Sequence, residues 1–305
     1  MKPVRVLLIA FLFASLLSLA AIASAPSTGF FLPDSVKEMT LKYRVARGLI
    51  IMPVTINDSI QVNLILDTGC RNLVLFGKRF QKLFKMSPRK PIEFSGLGNG
   101  KPVRGTVSIG NKVMLNEVLG NQIPVVIVGN SNLFGNYHNV HGVIGYDIFL
   151  KFEIELNAST RTITFRSAQK SDPPPGYFKV PLEIIDARPI MQSELFFNKK
   201  DSRTVEVMID TGSSLGLLLK TTNISEFNGD GDETVLGIGL NGPVSGFRTT
   251  SRKIKINEFE MNGVPTGIVS SDWHNNASIG MELLKDYIVI LNYCKAYACF
   301  KEQRA

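Results

Sequence analysis

The chain is poor in cysteine and histidine, with three of each. Three cysteines cannot build a disulfide scaffold, and without Cys/His clusters there is no zinc-finger spacing, so no structural metal is expected. Charged residues make up 20% against 44% hydrophobic, which excludes the low-apolar, high-charge composition of disordered chains. Collagen, coiled-coil and multi-span membrane patterns are absent. What the 305 residues do contain is 26 Gly and 15 Pro distributed among many short apolar runs. This points to β-structure in two domains or one large one.

The net charge is +8, and its surplus concentrates in Lys78, Arg79, Lys82, Lys85, Arg89 and Lys90, with no acid among them. Phe80, Leu83 and Phe84 recur there at helical spacing, which predicts a short surface helix with a solvated basic face. The alternative is a contact for an anionic membrane or an acidic substrate. A nucleic-acid partner is not expected.

Residues 1–25 read as a leader. Basic Lys2 and Arg5 precede the uncharged, mostly apolar stretch Val6 to Ala23, and Ala-Ser-Ala-Pro follows. This is a secretory signal pattern, with cleavage after Ala23 preferred because Pro26 would follow a cut after Ala25. The stretch is also just long enough to cross a bilayer, so an uncleaved membrane anchor competes. Either way the remainder is exported, to a periplasmic or secreted location. No cysteine near the leader supports a lipid anchor.

The two halves of the chain echo each other. Gly96-Leu-Gly-Asn-Gly-Lys-Pro-Val-Arg-Gly105 answers Gly237-Ile-Gly-Leu-Asn-Gly-Pro-Val-Ser-Gly246 at an offset of 141 residues. Leu115-Asn116-Glu117 faces Ile256-Asn257-Glu258 at the same offset, and the segment from Ile144 to Asn157 matches Ile279 to Asn292 at an offset of 135. A doubled unit is the simplest source of such repetition. Between the copies, residues 171–178 carry Ser-Asp-Pro-Pro-Pro-Gly and read as a Pro-rich linker. The expected lobes are residues 47–170 and 179–305, preceded by an N-terminal segment, 26–46. Runs such as Leu49 to Ile56, Val62 to Leu66 and Val205 to Ile209 are strand-length and β-branched, so the expected class is all-β in two similar lobes.

Each lobe places Asp-Thr-Gly directly after a hydrophobic strand, as Asp67-Thr68-Gly69 and as Asp210-Thr211-Gly212. A carboxylate at the end of a buried strand is costly unless hydrogen-bonded, paired or protonated. The glycine brings amide donors close, and the threonine offers a hydroxyl that can tie two such loops together. Two copies at equivalent positions of a duplicated unit predict a two-fold arrangement in which the aspartates meet between the lobes.

In these motifs, and in Val143-Ile144-Gly145 and Ser278-Ile279-Gly280, each followed by a short helix, the chain resembles aspartic peptidases of the pepsin and retropepsin type. The resemblance covers nearly everything after the leader. It implies a bilobal β-fold with a peptide cleft, catalytic Asp67 and Asp210 at its floor, and an aspartic endopeptidase activity on polypeptide in extended conformation. One proton is shared by the pair, and water is the nucleophile. No cofactor or metal is implied, and the expected state is a monomer, with membrane association through the N-terminal segment if the leader is retained. The competing reading is a non-catalytic peptide- or protein-binding module on a protease-like fold.

Several details bear on that resemblance. Gly96 and Gly98 lie in a glycine-rich segment 29 residues after Asp67, and Gly237 and Gly239 in one 27 residues after Asp210; both resemble the mobile flap of retropepsins. No tyrosine occurs between Arg44 and Asn136, whereas a pepsin-like flap bears one. Cys70 stands where Ser213 follows the second motif. A hydroxyl donates better than a thiol, so Asp210 is expected to be the more acidic partner. Cys294 and Cys299 bracket a hairpin turn, with a cross-strand disulfide and two unpaired thiols as alternatives. Gly237 to Gly242 fits G-x-G-x-x-G letter for letter, but no helix follows, which excludes the dinucleotide reading. His138 and His141 read as loop histidines, Asn228 to Glu233 as a solvated acidic turn, and residues 26–46 as too few for a long inhibitory prosegment.

Overall fold

The computed structural model describes residues 28–88, 91–129, 133, 139–197, 201–223, 233–271 and 277–303. The leader, His138, Arg89, Lys90 and Asn228 to Asp232 lie outside them. The protein is all-β, with only three one-turn helices among the described residues, Lys78–Gln81, Tyr146–Phe149 and Met281–Leu284. No described helix is long and apolar enough to cross a membrane.

Two large sheets repeat one plan. In the first half, Ile60–Leu66 runs parallel to Gly142–Ile144, which is antiparallel to Leu73–Phe76, which in turn runs parallel to Val118–Val128. In the second half the same order joins Ser202–Ile209, Ala277–Ile279, Leu217–Thr221 and Phe259–Ser270. Their hydrophobicity explains the threading, since Leu73–Phe76 and Ala277–Ile279 are buried at every position, as strands covered on both faces must be. The hairpins at Leu115-Asn116-Glu117-Val118 and Ile256-Asn257-Glu258-Phe259 turn on asparagines with φ of 48° and 53°, a region asparagine tolerates better than most residues.

A third, six-stranded sheet is built from both halves, in the order Phe178–Pro181, Tyr297–Glu302, Tyr287–Asn292, Phe152–Asn157, Thr162–Ser167, Glu38–Lys42. Its centre pairs Phe152–Asn157 with Tyr287–Asn292, so the pseudo-two-fold passes between the two repeats. The structure therefore places strand Glu38–Lys42, in the segment before the first lobe, as the counterpart of Phe178–Pro181 just after the linker. Both enter the shared sheet at its edges, and the core runs continuously from one half to the other.

The basic segment forms one helical turn with Phe80 and Phe84 buried. Its described basic side chains are exposed, and so is Leu83 at 54%. His141 accepts a hydrogen bond from the Asn63 amide at 2.8 Å and packs edge-on against Phe80.

The disulfide reading is corrected. Cys70, Cys294 and Cys299 are all free. The closing hairpin pairs Asn292 with Tyr297 and Ile290 with Cys299, which leaves Cys294 exposed in the turn and Cys299 buried opposite a different residue. In that register the two cysteines are not cross-strand partners.

Candidate active site

Asp67 and Asp210 each end a buried strand, and each is held by the segment threaded behind it. The Asp67 amide donates to the Ile144 carbonyl at 2.9 Å, and the Asp210 amide to Ile279 at 2.8 Å. Tyr146 donates to Cys70, and Met281 to Ser213, both at 2.8 Å. Two-fold repetition at this level fixes both loops against the same kind of backbone.

Threonine joins the loops across the lobes. The Thr68 hydroxyl donates to the Ile209 carbonyl at 2.7 Å and accepts the Thr211 amide at 2.9 Å. The Thr211 hydroxyl donates to Leu66 at 2.8 Å and accepts the Thr68 amide at 3.1 Å. Both side chains are fully buried, so every polar atom of this grip is used inside the protein. The carboxyls adjoin above it. The Gly69 amide donates to Asp67 Oδ1 at 2.7 Å, and the Gly212 amide to Asp210 Oδ1 at 3.0 Å. A Cβ on Gly212 would sit 2.4 Å from the Asp67 carboxyl carbon, and one on Gly69 would lie 3.1 Å from Asp67 Oδ1 and 3.8 Å from Asp210 Oδ1. Only glycine lets the loops approach this closely.

The two carboxyls are not equivalent. Burial, and then the charge of Asp210, push Asp67 up to about 7 against the amides of Gly69 and Cys70. Burial also raises Asp210, but Lys220 opposes it, a counter-cation that Asp67 lacks among its main influences. Burial thus raises both carboxyls, and Lys220 favours the charged form of Asp210. The hydrogen bond expected from the Ser213 hydroxyl to Asp210 is not among those of the described residues. The Ser213 hydroxyl accepts from the Leu215 amide at 3.3 Å, and the Cys70 thiol donates to the Asn72 carbonyl at 3.1 Å. Burial and the Asp67 charge raise that thiol, which favours its protonated form. Lys220 and Arg188, which both act on the pair, were missed in the sequence. Counted from the two motifs, Phe76 falls opposite Leu219, and only the strand pairing brings Lys220 to its place. Tyr293 is the other missed neighbour, buried at 4% exposure with its hydroxyl raised by burial and by the charges of Asp67 and Asp210.

Residues 197–283 match the family model of aspartyl proteases. The match spans the Asp210 loop and supports an aspartyl protease-type domain with a protease-like function. No curated protein matches the chain.

Over this aspartyl protease-type site stand two hairpins. Ile92–Phe94 pairs with Val103–Leu115, and Thr234–Gly239 with Gly242–Ile256. Their tips interlock. Asn241 donates its amide to the Leu97 carbonyl at 3.1 Å and accepts the Gly100 amide at 2.6 Å, while its side chain accepts the Gly96 amide at 3.2 Å. Leu97 packs against the second-lobe cluster of Leu218, Leu236, Val244 and Val269, and Leu240 against the first-lobe cluster of Val74, Phe76, Val126 and Val128. Of the four glycines singled out, three serve the tip contact. A Cβ on Gly96 would meet Leu240 at 2.6 Å, one on Gly98 the Asn241 carbonyl carbon at 2.7 Å, and one on Gly239 the Leu97 oxygen at 2.2 Å. Gly237 faces open space.

Asn241→Ala removes two side-chain bonds, from the Gly96 amide and to the Gly100 carbonyl, while leaving the backbone bonds possible. A single hydrogen bond contributes on the order of 1 kcal/mol, so the Gly96 amide should exchange about five- to tenfold faster, as hydrogen exchange will report. Unchanged protection at Gly96 would show that the side chain does not hold the tips together.

Proposed function

We propose that the protein is an exported aspartic endopeptidase that hydrolyses polypeptide held extended between the lobes and the paired hairpins. The observation that carries this reading is the reciprocal Thr68/Thr211 grip, which presents Asp67 and Asp210 side by side, both raised by burial. Ionised Asp210 takes a proton from water as it attacks the scissile carbonyl, and protonated Asp67 donates to the developing oxyanion. The proton taken by Asp210 then passes to the leaving amine. The chain needs no cofactor for these steps, since water is the nucleophile and both proton carriers are its own side chains. An N-terminal leader, cleaved or retained, delivers it outside the cytoplasm.

The test is incubation of the exported protein with a diverse peptide pool from pH 4 to pH 8, with and without a statine-type transition-state mimic. Cleavage that the mimic blocks is the expected result. Binding of peptides without cleavage at any pH would replace this reading with the non-catalytic module. The pH profile is itself a prediction. Asp67 must be protonated to donate, so kcat/KM should fall as the pH rises through about 7. A rate that keeps rising to pH 8 would assign the proton elsewhere.

A further inference from the structure

The one-turn helix Lys78–Gln81 and the stretch that follows it are anchored from one side. Phe80 and Phe84, four residues apart and so on one side of a helical turn, are buried in the first-lobe core, and the Ser87 amide donates to the Val107 carbonyl at 2.7 Å. Side chains on the far side are thereby committed to the surface. Lys78, Arg79, Lys82, Leu83 and Lys85 are all exposed. Met86 forms a bridge with Ser108, and continuing that antiparallel register places Lys85 across from Ile109. Ile109 is 60% exposed.

Ile109, Val235, Leu83 and Ile238 are the most exposed large apolar side chains among the described residues. Val235 and Ile238 belong to the second-lobe hairpin over the active site. Leu83 and Ile109 have no such place, and stand instead in a field of positive charge. That charge is not neutralised from nearby. Lys78, Lys82 and Lys85 form no ion pair among the described residues, and Arg79 lies over the Phe80 ring at 4.7 Å. The nearest acid in the sequence, Glu93, is taken by Arg104 at 2.6 Å.

We infer that this patch docks on an anionic lipid surface, with the lysines meeting headgroups while Leu83 and Ile109 enter the boundary below them. A lysine suits that place, because its long apolar stem reaches back to the headgroups as the neighbouring aliphatic group sinks. Against an acidic polypeptide the two aliphatic side chains would be idle, whereas a bilayer uses them together with the charge. The inference does not rest on the peptidase reading, nor on whether the leader is retained.

Hydrogen exchange over residues 78–88 is followed on the exported protein during titration with vesicles of phosphatidylcholine alone, and of equal parts phosphatidylcholine and phosphatidylglycerol. This reads the patch itself, so a leader that holds the chain to both vesicles does not hide the difference. Anionic vesicles should slow exchange of the segment about fivefold or more, neutral ones should leave it unchanged, and added salt should reverse the effect. Lys82→Glu combined with Lys85→Glu should raise the lipid concentration required by on the order of 25-fold, at about fivefold for each lysine removed. Leu83→Ser should raise it about fivefold. Equal exchange with both vesicle types, or slowing that persists in high salt and in the doubly reversed variant, overturns the inference. So does slowing by polyglutamate that anionic vesicles do not produce, which would assign the patch to an acidic polypeptide. If a variant fails to fold, the comparison of lipids and salts on the wild type decides alone.

Discussion

Asparagine at Asp67 or at Asp210 should lower peptide hydrolysis by on the order of 10³-fold or more, with the fold intact. An amide can still accept the hydrogen bond from Gly69 or Gly212. It can neither take a proton from water nor pass one to an oxyanion. The Thr68/Thr211 grip lies beneath the carboxyls and is untouched, so thermal unfolding should remain cooperative. Asp67→Asn carries a second signature. Its carboxyl is raised to about 7 in the folded protein against an ordinary value of 3.8. The folded state therefore binds the proton more tightly than the unfolded chain. That contribution is complete below pH 3.8 and is lost as the pH rises through 7. Relative to the variant, the wild type should lose stability between pH 4 and pH 7. Parallel stability curves, or hydrolysis retained within tenfold of wild type in either variant, would remove the aspartates from the chemistry.

Gly145→Ala should be among the most damaging single substitutions in the chain, through structure rather than chemistry. A Cβ there would lie 1.9 Å from the Cys70 carbonyl oxygen and 2.4 Å from that of Asp67. Both atoms are backbone, so no side chain can rotate away. The segment would have to withdraw, loosening the bonds from Asp67 to Ile144 and from Tyr146 to Cys70. A loss of about 4 kcal/mol is expected for such a clash with a buried network, which for a chain of this size lowers Tm by about 10 °C. Gly280→Ala should behave alike, since its Cβ would meet the Leu215 oxygen at 2.4 Å. Gly237→Ala is the internal control, with nothing within 4 Å of its Cβ, and should stay within about 0.5 kcal/mol of wild type. Differential scanning calorimetry of the three variants distinguishes steric threading from a general need for glycine.

The doubled Asp-Thr-Gly after strand-like runs made the site legible, because a repeated unit with a costly residue at one place needs a common purpose there. Thr68 and Thr211 were legible for the same reason, as hydroxyls repeated beside each aspartate. The second-sphere charges were not. Lys220 closes the apolar run Leu217-Leu-Leu, where a lysine reads as a strand leaving the core, and only the pairing of that strand with Ala277–Ile279 aligns it with Phe76. The error over Ser213 was one of direction, since composition gives a hydroxyl but not where it turns, and the nearer Leu215 amide claims it. The closing hairpin failed by register. A turn of four residues between Asn292 and Tyr297 puts Cys294 in the turn itself, a displacement that spacing alone does not reveal.

The sheet shared by the two halves also orders events in time. Strand Phe152–Asn157 has Tyr287–Asn292 as its inner neighbour. During synthesis, or during emergence on the far side of a membrane, more than a hundred residues must pass before that partner arrives. Until then the strand presents an open edge, a template for pairing with another chain. Pairing across such sequence distances is slow. A chain interrupted before Tyr287 would contain both Asp-Thr-Gly motifs and most of the second lobe, yet should accumulate as aggregate rather than as a working molecule. For the proposed peptidase this has a protective side, since the sheet that joins the halves cannot close until nearly the whole chain is present.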